Sequence, residues 1–180
     1  MNQLRELLVD NLQDLLHAEM QLVRALPEMA DAARHPKLKE LLTKHLQQTE
    51  RHVERLRSAF ELLNEKAQPK PCKGMAGLIE EGRETIEEND GKEELASDLA
   101  LIAAAQKVEH YEISGYGTAR YLARQIGERE LATLLSHTLG EEESSDFLLS
   151  EIGKPLMQDA ALKNEQPTRA PAPNPKARRA

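Results

Sequence analysis

The chain has 180 residues and a net charge of −7, with 24 Lys and Arg against 31 Asp and Glu. Apolar residues make up 39% of it, yet its aromatic residues are only two Phe and three Tyr, so the core must be aliphatic. That palette is typical of helical proteins and argues against a β-sandwich or barrel, while the acidic balance argues against a broad nucleic-acid-binding surface.

The single cysteine, Cys72, excludes an intramolecular disulfide and any zinc or iron–sulfur site made of several cysteines. No basic segment followed by an apolar one marks a secretory signal near the N-terminus. No apolar run approaches the roughly 20 residues that cross a bilayer. We therefore expect a soluble cytoplasmic protein with no membrane partner.

Prolines and glycines divide the sequence into four long amphipathic segments and one short one. The long segments are predicted at about 2–33, 36–64, 93–126 and 128–152, and the short one at 75–88. Pro27 should kink the first helix or shift its end, and Gly153 and Pro155 should close the last one. From residue 157 to residue 180 we expect a disordered, proline-rich basic tail.

The apolar residues of the long segments recur at spacings of three, four or seven, which indicates helices with one apolar face each. Short links make the first two helices one antiparallel hairpin and the last two another. About 28 residues separate the second helix from the third. Such a length favours the long crossover of a ferritin-like arrangement over an up-down bundle. The prediction is an all-α ferritin-like four-helix bundle over residues 1–156, built from two helical hairpins with a short extra helix in the crossover.

Acidic residues interrupt three of the apolar faces: Glu19, Glu109 and Glu142 stand where the helical series requires an apolar residue. The same spacing of 33 residues separates Glu19 from His52 and Glu109 from Glu142, as an internal two-fold repeat would. Ionised carboxylates in an apolar interior are costly unless they are paired or bind a cation. No Lys or Arg occupies the matching positions. Two divalent cations would resolve this conflict, in the manner of di-iron or di-manganese carboxylate proteins.

Taken alone, each of these residues could instead lie in solvent on the flank of its helix, beside the apolar face. The coincidence of several interruptions at matching heights favours a common site. Neighbouring residues are interpreted more simply: His45 as a core or rim histidine, Glu141 and Glu143 as solvent-facing, and Tyr111 and Tyr116 as core or interface residues.

Five segments of the chain are similar to the YciE/YciF family of bacterial ferritin-like proteins, and the resemblance spans residues 4–153. These segments are Ala18–Leu22, His45–Thr49, Cys72–Glu81, Leu139–Glu143 and, most specifically, Ala100–Ile113 with the following Tyr116 and Gly117.

The resemblance implies a homodimeric ferritin-like bundle of the bacterial stress response with a di-metal centre of iron or manganese. The candidate metal ligands are Glu19, Gln48, His52, Glu109, Glu112, Glu142 and Asp146. Gln48 stands where the family usually has Glu, and a neutral amide is a poorer ligand for a hard divalent ion. His52, one turn later, can restore a ligand.

Two functions of different classes follow. The first is a stress protein that binds one or two iron or manganese ions; its chemistry, if it is an enzyme, is oxidation of Fe(II) or reduction of a small oxidant, peroxide or O₂. The second is a metal-free dimeric bundle with a structural or interaction role. Gln48 favours the second function, and the clustered carboxylates oppose it.

Overall fold

Five α-helices form the structure, a computed structural model that describes residues 3–89, 91 and 93–165. In chain order they are α1 Gln3–Ala32, α2 Pro36–Leu62, α3 Lys73–Glu88, α4 Glu94–Gln125 and α5 Arg129–Glu165. The predicted all-α class is confirmed, as are four long helices with a short one in the crossover. None of the described helices is both long and apolar enough to span a membrane.

The long helices pack as two hairpins, α1 with α2 and α4 with α5; α1 also packs on α4, and α2 on α5. One end of the bundle joins Leu8 of α1 to Phe60 of α2 and to Ala123 of α4. The C-terminal ends of α2 and α4 therefore lie together, so the chain must travel the length of the bundle between them. This long crossover confirms the ferritin-like arrangement.

The core consists of two apolar halves with a polar layer between them. One half includes Leu26, Leu42 and Ile102, and the other includes Leu12 and Leu135. The buried polar side chains of the layer between them are Glu19, His45, Thr49, His52, Glu109, Glu112, Thr138, Glu142 and Ser145. Every long helix thus contributes polar groups near its middle.

The crossover is fastened to α1 and α4 before α3 begins. The Lys70 N–H donates to the Gln13 carbonyl at 3.1 Å, and the Cys72 N–H donates to Nδ1 of His17 at 3.0 Å. The Cys72 thiol caps α3 and lies 2.9 Å from the hydroxyl of Tyr111. A Cβ on Gly74 would lie 2.7 Å from the Tyr111 ring, so only glycine allows this close approach.

The last helix is longer than the sequence predicted. Gly153 and Pro155 do not close α5, which continues to Glu165. Gly153 is buried against Ile102, and Leu156 is buried one turn beyond Ile152, so continued packing outweighs the hydrogen bond that the proline removes. The predicted tail therefore begins inside a helix, with residues 157–165 helical, and its remainder at 166–180 lies outside the described residues. Pro27 does not end α1 either.

A buried carboxylate connects the turn between α1 and α2 to α4. Asp98 is 4% exposed and accepts the backbone N–H groups of Arg34 at 2.9 Å and His35 at 2.8 Å. His35 precedes α2 without a side-chain cap of its own, so α4 supplies the acceptor. This contact fixes one hairpin against the other at the end of the bundle.

We expect Asp98→Ala to lower the free energy of unfolding by about 2 kcal/mol, because two backbone donors in a half-buried turn lose a charged acceptor. Urea denaturation measures the change. Asp31→Ala is the matched control: Asp31 is 84% exposed in its ion pair with Lys39, so its effect should stay below about 0.5 kcal/mol. Equal losses in the two variants would contradict the role given to Asp98.

Candidate metal centre

Six residues from the four long helices meet in the polar layer, and each of them is at most 2% exposed. They form two groups that share Glu142: one comprises His45, Glu109, Glu112 and Glu142, and the other comprises Glu19, His52 and Glu142. Within each group, one ligand atom from every residue lies within 4.8 Å of the others. We call these six residues the central cluster.

Helical periodicity places the central cluster. Glu109 and Glu112 are three residues apart on α4, and His45 and His52 are seven apart on α2, so each pair shares one face of its helix. Glu19 lies between the buried Leu15 and Leu22 on the same face of α1.

Most of the inward-facing nitrogen and oxygen atoms of the central cluster have no hydrogen-bond partner. Among the described residues, the buried atoms of the cluster that have no hydrogen-bond partner are Oε2 of Glu19, Nε2 of His45, Nδ1 of His52, Oε2 of Glu109 and both carboxylate oxygens of Glu112 and Glu142. Buried polar groups in native proteins are nearly always satisfied. Eight such atoms around one volume fit a site for cations.

The histidines approach the carboxylates closely, but outside hydrogen-bond geometry. His52 Nδ1 lies 2.8 Å from Oε1 of Glu142 and 3.3 Å from Oε1 of Glu19. His45 Nε2 lies 3.3 Å from Oε1 of Glu109. Each of these nitrogens therefore faces the carboxylates of its group without a hydrogen-bond partner.

The outer nitrogen of each imidazole has a partner of its own. Nδ1 of His45 lies 3.1 Å from the Ser145 hydroxyl, and Nε2 of His52 lies 2.9 Å from Oε2 of Glu141. Metal-binding histidines commonly use their second nitrogen in this way, which fixes the ring with the first nitrogen facing the metal. The prediction that Glu141 faces solvent holds only in part: its side chain is 29% exposed, but it also binds Arg55 and lies against His52. Glu143 is exposed as predicted.

A tyrosine borders the central cluster. Tyr116 is fully buried, as the prediction of a core residue requires, and its hydroxyl donates to Oε1 of Glu19. Its ring centre lies 6.3 Å from that of His52. Tyr111, in contrast, lies at the crossover, where its hydroxyl donates to Oδ2 of Asp14 at 2.5 Å.

Burial and mutual repulsion shift the pKa values of the cluster. Burial, together with the neighbouring Glu142 and Glu19, raises the pKa of Glu109 and Glu112 well above the usual carboxyl range. Burial lowers the pKa of His45. Burial also acts to lower the pKa of His52, but the adjacent Glu142 and Glu19 outweigh it and raise that pKa to about 10. A cation entering the cluster must therefore displace protons.

The same shifts predict a pH dependence for the metal-free protein. Folded Glu109 and Glu112 retain protons that the unfolded chain has lost above its carboxyl pKa, so their contribution to stability falls as pH rises. The contribution of His52 is complete below pH 6.5 and is lost as pH rises through about 10. The lowered pKa of His45 changes the stability of the folded state only below about pH 6.5.

With chelator present, the free energy of unfolding should therefore fall between about pH 6.5 and 9, by about 1.4 kcal/mol per pH unit for each extra proton that the folded state holds. Urea titrations at several pH values measure this slope. The slope should be shallower in the double variant Glu109→Gln, Glu112→Gln, and an increase in stability with pH in the unsubstituted protein would contradict the prediction.

Five of the seven predicted ligands belong to the central cluster, and two do not. Asp146 joins neither group; it is half-buried and accepts Nε2 of Gln106 at 2.9 Å. Gln48 is half-buried on the flank of α2, whereas Thr49 on the same turn is fully buried.

His45 is the member of the cluster that the sequence interpretation set aside. It is a buried core residue as expected, but its Nε2 faces Glu109 and Glu142. The available signal was its position seven residues before His52, which places both rings on one face two turns apart.

Comparisons with known proteins agree with the fold. A family model described as "Domain of unknown function (DUF892)" matches residues 3–162. Protein YciF of Escherichia coli is 42% identical over 153 residues, which cover 84% of this chain and 91% of that protein.

Solved structures give the same picture. The crystal structure of the E. coli stress protein YciF matches with a TM-score of 0.83 at 40% identity, covering 88% of this chain and 99% of that chain. A protein described as "YcfI, a putative structural protein from Rhodopseudomonas palustris" matches with a TM-score of 0.78 at 35% identity, covering 82% and 92%. A protein from Xanthomonas campestris matches with a TM-score of 0.67 at 26% identity, covering 92% and 100%.

Proposed function

Because the chain belongs to the YciE/YciF family, which the DUF892 model covers over residues 3–162, we propose that it is a bacterial stress-response protein that binds two divalent cations in the central cluster. The cations are iron or manganese. The stress role comes from the description of E. coli YciF as a stress protein. The cation role comes from the chemistry of the cluster.

One observation carries the metal proposal: eight buried nitrogen and oxygen atoms of the central cluster converge without a hydrogen-bond partner. Four carboxyl groups this close repel one another, and each would be costly to bury as a free anion. Protons held by Glu109, Glu112 and His52 relieve part of that cost in the metal-free protein. Cations relieve it more fully, since each satisfies several lone pairs at once.

The donor set indicates which cations fit. One group would hold a cation between His45, Glu109, Glu112 and Glu142, and the other would hold a second cation between Glu19, His52 and Glu142. Four carboxylates with two imidazoles are the ligand composition of di-iron and di-manganese bundles, and a mostly oxygen set favours iron or manganese over thiophilic metals. In this chain both imidazoles come from α2, instead of one from each of two helices.

When bound, such a metal pair supplies the chemistry for oxidising Fe(II) or for reducing peroxide or O₂. The chain's own contribution is to hold the ligands and to exclude water, since an apolar half of the core lies on each side of the polar layer. Tyr116 holds Glu19 by donating its hydroxyl hydrogen to Oε1, which leaves Oε2 buried without a hydrogen-bond partner.

We expect Glu142→Ala to abolish binding of both cations, because Glu142 belongs to both groups. Glu109→Ala should remove the cation held with His45. Elemental analysis of protein purified without chelator measures the metal content. Metal-free Glu109→Ala should be as stable as the unsubstituted protein or more stable, because it loses a carboxyl group that burial and the neighbouring Glu142 disfavour in its charged form.

Glu143→Ala is the control for these variants, since Glu143 is exposed beside Glu142 and should keep the full metal content. In the unsubstituted protein, Mn(II) at about 100 times its dissociation constant should add about 2.7 kcal/mol of stability. Unchanged metal content in both cluster variants would refute the site.

A metal-free structural role is the second candidate, and the description of the R. palustris relative favours it. The ion pairs of His52 with Glu19 and Glu142 also offset part of the cluster's charge without a metal. Melting curves with and without Fe(II) or Mn(II) separate the two functions, because only a protein that binds the ion in its native state melts higher in its presence.

The homodimer and the cytoplasmic location implied by the sequence analysis stay predictions. Light scattering coupled to size-exclusion chromatography should give twice the 20.2 kDa mass of one chain. A monomeric mass would refute the dimer.

A further inference from the structure

A line of polar contacts leads from the protein surface to buried His52. It begins at Arg55 of α2 and Glu141 of α5, whose side chains are 26% and 29% exposed. Arg55 donates through Nη1 to Oε2 of Glu141 and through Nη2 to Oε1 at 3.3 Å, so its planar fork holds both oxygens. Nη1 also lies 3.3 Å from the hydroxyl oxygen of Thr138, which is buried on α5.

This arrangement fixes the orientation of the His52 ring. Oε2 of Glu141 lies 2.9 Å from Nε2, whereas Nδ1 faces Glu142 at 2.8 Å and Glu19 at 3.3 Å. A carboxylate that accepts from Nε2 keeps a hydrogen on that nitrogen, which leaves the Nδ1 lone pair for a cation.

The other histidine of the central cluster has a different kind of support. Nδ1 of His45 lies 3.1 Å from the hydroxyl of Ser145, a neutral group that is only 3% exposed. One imidazole is thus oriented by a charged pair that reaches solvent, and the other by a buried hydroxyl. The two cation positions therefore differ in what holds their imidazole ligand.

We propose that Arg55 and Glu141 are positioning residues for the cation position made by Glu19, His52 and Glu142, and that they set its affinity separately from the position that contains His45. The inference rests on the proposed function, since it concerns the same cluster. Removing an outer-shell partner of this kind typically weakens metal binding by about 10- to 100-fold.

Calorimetric titration of the metal-stripped full-length protein with Mn(II) provides the first test. The unsubstituted protein should show two binding events. Glu141→Ala should weaken one of them by about 10- to 100-fold and leave the other unchanged, with a smaller effect in Glu141→Gln, whose amide oxygen can still accept a hydrogen bond. Ser145→Ala should weaken the other event, and exposed Glu143→Gln should change neither.

A spectroscopic test addresses orientation directly. Long-range ¹⁵N–¹H correlation spectra of the Zn(II)-loaded protein should show His52 with its hydrogen on Nε2. That pattern should be lost in Glu141→Ala and retained in Ser145→Ala. Melting of the metal-free variants reports their folding, and if Glu141→Ala fails to fold, Glu141→Gln decides the question by the same two readouts.

The outcomes separate the two proposals. Equal weakening of both binding events, no weakening of either, or an unchanged His52 pattern without Glu141 would overturn the positioning role and leave the metal site standing. A complete lack of Mn(II) binding by the unsubstituted protein would overturn both proposals.

Discussion

The structure depends on an excess of buried acceptors over donors at the middle of the bundle. Glu19, Glu109, Glu112 and Glu142 lie fully or almost fully out of water, on three of the four long helices. Their charges repel, so the layer is stable only if something positive lies among them. Protons on the carboxyl groups of raised pKa fill that role in part, and so does the positive charge of His52. The same imbalance that weakens the metal-free bundle is what gives a cation its affinity.

The rest of the fold makes this imbalance tolerable. An apolar half of the core on each side of the layer supplies packing that does not depend on the cluster, with Leu12 and Phe60 in one half and Leu26 and Ile102 in the other. Burial also excludes water, which strengthens every electrostatic interaction within the layer. Asp98 holds the end of one hairpin to the other. A stable frame and an electrostatically strained centre are therefore complementary features of one design.

The sequence predicted much of this arrangement, because helical periodicity shows both where apolar faces lie and where they are interrupted. Glu19, Glu109 and Glu142 stood out since each replaces an apolar residue in a regular series. The α2 face was harder, because His45, Gln48 and His52 lie within a narrow arc, and only packing decides that His45 is buried and Gln48 is not. The predicted end of α5 was wrong for a related reason: local proline and glycine signals could not reveal that Gly153 packs against Ile102. Glu141 supports His52 through a contact between two helices. The two residues are 89 positions apart in the chain, so no local pattern encodes this contact.

The fastening of the crossover has a consequence for anyone who redesigns the chain. The segment before α3 is not a flexible linker. The backbone N–H groups of Lys70 and Cys72 form hydrogen bonds to α1, and Gly74 lies against the Tyr111 ring. Opening the polypeptide there for circular permutation, or inserting a tag or a second domain, would pull on the helices that carry Glu19 and Glu109. The short turn at Gly127, whose positive φ of 87° already reverses the chain between α4 and α5, is the better place to cut.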